Sequence, residues 1–86
     1  MMLTLFNDPG HAWLRVNRSI AKHLMGELFN RISPYSYQFN EYIYLEEDCD
    51  AGLLLQALKS QGIAYTIKEN YCNNESRIRS YSSFIA

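Results

Sequence analysis

Cysteine is scarce in this chain, which carries only Cys49 and Cys72. Two thiols cannot build the dense disulfide framework of a small secreted domain, so reduced thiols and a cytosolic setting are expected. Charge of one sign is lacking too. Eight basic and nine acidic side chains leave a formal net charge of −1. General binding to nucleic acid or to an anionic membrane needs a basic surplus, so neither partner is expected. No run approaches the roughly 18 apolar residues of a membrane span. The Met1 to Phe6 stretch has no basic flank and is too short for a signal peptide. Four glycines and two prolines, well scattered, leave no linker, repeat or low-complexity segment. Residues 1–86 therefore read as one domain.

Apolar residues are plentiful, at 48% of the chain. A packed core is within reach, although a chain of this size buries only about 60–65% of its unfolded surface. Dimerisation or a bound partner would add stability.

Periodicity gives the order of elements. Met2 to Phe6 reads as a strand, and Asn7-Asp8-Pro9-Gly10 as a turn. Ala12 to Val16 alternates as a second strand. Asn17 or Ser19 suits the cap of a helix. Ile20, Ala21, Leu24, Met25, Leu28 and Phe29 follow helical spacing to a stop at Asn30. Tyr35, Tyr37 and Phe39 share one face of an extended stretch, which turns at Asn40-Glu41 into Tyr42 to Leu45. Leu54, Leu55 and Leu58 form the stripe of a second helix, capped by Asp48 or Asp50 and stopped by Gly62. Ile63, Tyr65 and Ile67 alternate as a further strand, and Arg77 to Phe84 as a last strand or extended tail. The order ββαββαββ predicts an α+β domain, an antiparallel sheet with two helices packed on one face.

Two constellations stand out. Glu46, Glu47, Asp48 and Asp50 crowd the junction between a strand and a helix. Negative charge is favoured at a helix start, but one or two carboxylates suffice for that. The remainder suggest a docking patch for a basic surface. Tyr35, Tyr37, Tyr42 and Tyr44 crowd one hairpin. They suit sheet packing and equally suit a protein-binding face, since tyrosine joins a large rigid area to a polar tip.

Other chemistry is thinner. His11, Cys49 and Asp8 form the one nucleophilic set that can be drawn, with Asp8 as orienting group. The flanking carboxylates oppose a thiolate at Cys49, so a small thiol facing the core is expected instead. Asp8 and His11 also suit a role in holding the first turn through backbone hydrogen bonds. His11, His23, Cys49 and Cys72 lack the close pairs of a structural zinc site, and calcium-loop spacing is absent. No metal and no cofactor are expected. Arg77 and Arg79 fall on one face of the last strand, where they could meet the acidic junction or a phosphate.

Three segments also carry a likeness. Asp8-Pro9-Gly10-His11-Ala12-Trp13-Leu14, Ile32-Ser33-Pro34-Tyr35-Ser36-Tyr37 and Tyr44-Leu45-Glu46-Glu47-Asp48-Cys49-Asp50 occur in that order. They resemble a family of short uncharacterised proteins found in tailed phages, prophages and other mobile elements. Ala12 departs from the pattern, where glycine is expected. The resemblance implies a mobile-element origin and no chemistry. With the size of the chain, it suggests a non-enzymatic protein-binding module. Its partner would be a larger host or phage protein with a basic surface. One specific form is an inhibitor of a host defence system, of the anti-CRISPR kind, acting in the host cytoplasm.

Overall fold

A computed structural model describes residues 1–86. Its strands are β1 (Met2–Asn7), β2 (Ala12–Asn17), β3 (Tyr37–Phe39), β4 (Tyr42–Glu46), β5 (Thr66–Tyr71) and β6 (Ser82–Ser83), and its helices α1 (Arg18–Met25) and α2 (Ala51–Ser60). Two 3-10 segments, Gly26–Arg31 and Arg77–Ser80, interrupt the simple ββαββαββ succession. The class is α+β. The strands form one sheet in the order β5-β1-β2-β4-β3-β6.

The sheet is mixed rather than wholly antiparallel. β1 with β2, β2 with β4, β4 with β3, and β3 with β6 are antiparallel pairs. β5 lies parallel to β1 at the edge. The reason is the connection: α2 carries the chain from β4 across the sheet, and such a crossover delivers the next strand parallel, whereas a tight turn reverses it.

Alternation sorts the strand residues to two faces. Leu3, Leu14, Val16, Ile43 and Leu45 join Ala21 and Met25 of α1 and Ala51, Leu54, Ala57 and Leu58 of α2 in the main core. Each fully buried leucine or isoleucine there is worth about 1.5–3 kcal/mol. The opposite face is not left to solvent. Trp13, Tyr44 and Ile78 make a second cluster there, with Phe6, Tyr37, Tyr42 and Tyr81 packed against it. Ile78 comes from the 3-10 segment Arg77–Ser80, so the C-terminal chain roofs this face instead of running on as a strand.

Asn17 does cap α1: its side chain accepts a hydrogen bond from the Ile20 N–H. The α-helix then stops at Gly26 (φ 55°, ψ −127°), a backbone setting that suits glycine. Leu28 and Phe29 therefore belong to the 3-10 segment rather than to a longer helix. Asn40 takes φ 54° in the two-residue β3–β4 turn.

Candidate functional site

The β1–β2 turn is organised by Asp8. Its Oδ1 accepts from the N–H groups of Gly10 (3.0 Å) and His11 (2.9 Å). Its Oδ2 accepts from the Ser76 N–H at 3.0 Å. Arg79 closes on it with a fork, Nε to Oδ2 at 2.6 Å and Nη2 to Oδ1 at 2.9 Å. The Arg79 guanidinium holds the Asp8 carboxyl far below the usual carboxylate range; burial opposes this, and the N–H groups of Ser76, His11 and Gly10 add to the lowering. Asp8 thus ties the first turn to the roof, and its spacing from Arg79 in the chain hides the pairing.

The β4–α2 junction is the second wall. Glu46 is buried, and its Oε2 accepts from the N–H groups of Asp48 (2.8 Å) and Cys49 (2.9 Å). Asp50 stands at the N-cap position of α2 but makes no capping bond. Its side chain turns inward instead. Ser33 donates to it through N–H (3.1 Å) and Oγ–H (2.7 Å), and Ser36 donates through Oγ–H. The Ser36 hydroxyl in turn accepts from the Glu46 N–H at 2.9 Å. Asp50 thus holds the expected cap position without making the capping bond, and Asp48 lies outside that position.

Between these walls lies a cleft of about 300 Å³, lined by His11, Trp13, Tyr35, Tyr37, Glu46, Asp48, Cys49 and Arg79. Trp13 forms a deep wall at 2% exposure, with the Tyr37 ring edge-on at 6.2 Å and the Arg79 guanidinium over it at 5.5 Å. The indole N–H of Trp13 has no acceptor. Glu46 Oε1 accepts no N–H or O–H hydrogen bond. His11 Nδ1 lies 3.7 Å from it, beyond hydrogen-bond range.

The sequence-derived candidates are divided by this geometry. Tyr35, Tyr37, Glu46, Asp48, His11 and Cys49 meet at the cleft. Glu47 is exposed beside it, whereas Asp50 and Glu46 are buried, so the four carboxylates do not form one solvent-facing patch. Tyr42 and Tyr44 lie elsewhere on that sheet face. Tyr42 stacks with Arg15 at 4.8 Å, and Tyr44 is buried against Phe6 and Tyr81. Burial pushes the Tyr44 phenol upward.

Cys49 is exposed, contrary to the buried thiol expected. A hydrogen bond with the Glu46 carboxylate, then burial and the charges of Glu46, Asp50 and Asp48, raise its thiol pKa. Asp8 touches the backbone of His11 and not its imidazole; Glu46 is the carboxylate beside that ring. His23 and Cys72 are exposed at other places, and no group of three or more His, Cys, Asp or Glu is arranged to hold a metal ion. Arg79 pairs with Asp8, not with the acidic junction.

Trp13 and the serine pair Ser33 and Ser36 carry no sequence signal of a site, and Arg79 is expected opposite the acidic junction rather than Asp8. Trp13 was the readable one: it alternates with buried Leu14, which places it on the face opposite the helices. The others depend on contacts distant in the chain. No helix is long and apolar enough to cross a membrane. Compared with family models, with curated proteins and with solved structures, the chain matches none.

Proposed function

We propose that this chain is a non-enzymatic protein-binding module of phage or mobile-element origin, acting in the host cytoplasm on a larger host or phage protein. The observation that carries the reading is the cleft with its rim. Tyr35 is 70% exposed, Glu47 and Asp48 face solvent beside it, and aromatic rings line the floor. An exposed aromatic next to unpaired carboxylates fits a partner with a basic surface. Charge would govern encounter and choice of partner, and aromatic burial the lifetime of the complex. The three segments that carry the phage resemblance all contribute residues to this cleft. Inhibition of a host defence complex, of the anti-CRISPR kind, is the specific form of the proposal. It rests on that resemblance and on size, not on any side chain.

The test is affinity capture from infected cells with wild type and with a Glu47→Lys, Asp48→Lys double variant, both confirmed folded by circular dichroism. Both sites are exposed, so the fold should tolerate the reversal, whereas Glu46 is built into the junction. The expected result is one dominant wild-type partner that the variant fails to retain. Equal capture by both proteins would refute the rim as the docking surface.

A thiol enzyme is the second reading, favoured by the presence of His11 and Cys49 in one cleft. Against it, Glu46 rather than His11 holds the thiol and keeps it protonated. Alkylation of Cys49 in a Cys72→Ser background distinguishes the two. Slow reaction at neutral pH that accelerates only in alkali supports the binding module; rapid reaction at neutral pH supports the enzyme.

A further inference from the structure

We propose that the cleft receives an arginine side chain of the partner; this deepens the protein-binding reading and rests on it. Three features of the cleft converge on a guanidinium. The first is Glu46. It is a carboxylate whose side chain is only 9% exposed, with Oε2 taken by the Asp48 and Cys49 N–H groups and no N–H or O–H donor on Oε1. A carboxylate oxygen on a cavity wall with lone pairs to spare can take a donor from outside. The second is the wall of Trp13, Tyr35 and Tyr37. Aromatic faces attract cations, and a planar guanidinium stacks on them better than a compact ammonium does. The third is Asp48 at the mouth, exposed and able to share the charge with Glu46.

The molecule already uses this chemistry internally. Arg15 lies over Phe6 and Tyr42 at 5.2 and 4.8 Å, and Arg18 over Phe29 and Phe84 at 5.4 and 5.2 Å. Arg79, on the Trp13 ring, does not fill the role proposed for the ligand. Its fork is committed to Asp8 and its charge is matched there. The remaining lining is therefore acidic. A volume of about 300 Å³ is at the lower end for a ligand site, suited to one side chain rather than to a nucleotide or a large cofactor.

The test is a 1H–15N NMR titration of the intact protein with N-acetyl-arginine amide, and with the citrulline and lysine amides as controls. Saturable shifts confined to His11, Trp13, Tyr35, Asp48 and Cys49 are expected, with arginine affinity in the millimolar range usual for one side chain. Citrulline, which has the same shape without the charge, should bind at least about tenfold more weakly. Glu46→Gln keeps an acceptor for the two N–H groups and should weaken arginine binding by about tenfold or more. Tyr35→Ala, at an exposed position, removes one wall without threatening the fold and should weaken it severalfold. Citrulline binding as well as arginine, lysine matching or exceeding arginine, or no saturable shift at the cleft would each overturn the proposal. If arginine fails to bind while the rim double variant still loses its partner, the pocket is wrong and the docking surface stands.

Discussion

Asp8 accepts five hydrogen bonds while its side chain is wholly shielded from solvent. Asp8→Ala takes the acceptor from three backbone N–H groups and the partner from a partly exposed Arg79, so it should cost about 1–3 kcal/mol in urea unfolding. The pH dependence follows from the direction of its shift. The carboxyl pKa is depressed in the folded state, so the stabilisation is complete above the ordinary aspartate value of about 3.9 and fades as pH falls below it toward the folded value. Unfolding free energies measured across the acid range should therefore drop more steeply below about pH 4 in wild type than in Asp8→Asn, which cannot titrate there. Equal slopes would remove Asp8 as the group responsible. Arg79→Lys should recover only part of the stability, because an ammonium cannot make the two-pronged contact.

Ser36 joins three segments, two of them through its hydroxyl. It donates to Asp50 at the start of α2 and accepts from Glu46 N–H at the end of β4, while its own backbone carbonyl accepts from the Phe84 N–H. Ser36→Ala leaves the buried Glu46 N–H without its acceptor and takes one of two hydroxyl donors from Asp50 Oδ2, and should lower stability by about 1–3 kcal/mol in the same denaturation assay. A change below about 0.5 kcal/mol would mean that the junction is held by other contacts. This clasp also explains what local sequence could and could not reveal about the elements. Asn17 was legible as a cap because its bond is to the third residue after it. Asp50 occupies the corresponding place before α2, but serines 14 and 17 residues upstream draw its carboxylate away. The end of α1 was missed for a different reason. Leu28 and Phe29 keep an apolar rhythm through the 3-10 segment, so periodicity runs past the break that Gly26 makes.

At the level of the whole molecule, alternation assigned the strand faces, and helical spacing assigned the stripe that meets them. The partner of β5 lay outside that information. Thr66 to Tyr71 carries no mark that it should align with Met2 to Asn7, more than sixty residues earlier in the chain, in parallel. The cleft is a product of the same long-range order. Its walls come from the first turn, the approach to β3, the β4–α2 junction and Arg79, and only the fold makes Glu46, rather than Asp8, the neighbour of the His11 ring. The position of β5 has a measurable consequence. The strand is exposed along its length and has one neighbour. Thr66 N–H donates to the Met1 carbonyl and Cys72 N–H to that of Asn7. Successive residues of a strand point their N–H groups to opposite sides, so Thr66, Lys68, Asn70 and Cys72 face β1, and Ile67, Glu69 and Tyr71 face the open edge. Native-state hydrogen exchange in dilute protein should show that alternation, with slow amides at 66, 68, 70 and 72 and fast ones at 67, 69 and 71. Uniformly fast exchange would mean that β5 does not stay paired with β1. Lys68 on this edge hinders strand-to-strand association, so the fast set should remain fast as protein concentration rises; protection of Ile67, Glu69 and Tyr71 at high concentration would instead reveal a second copy docked along β5.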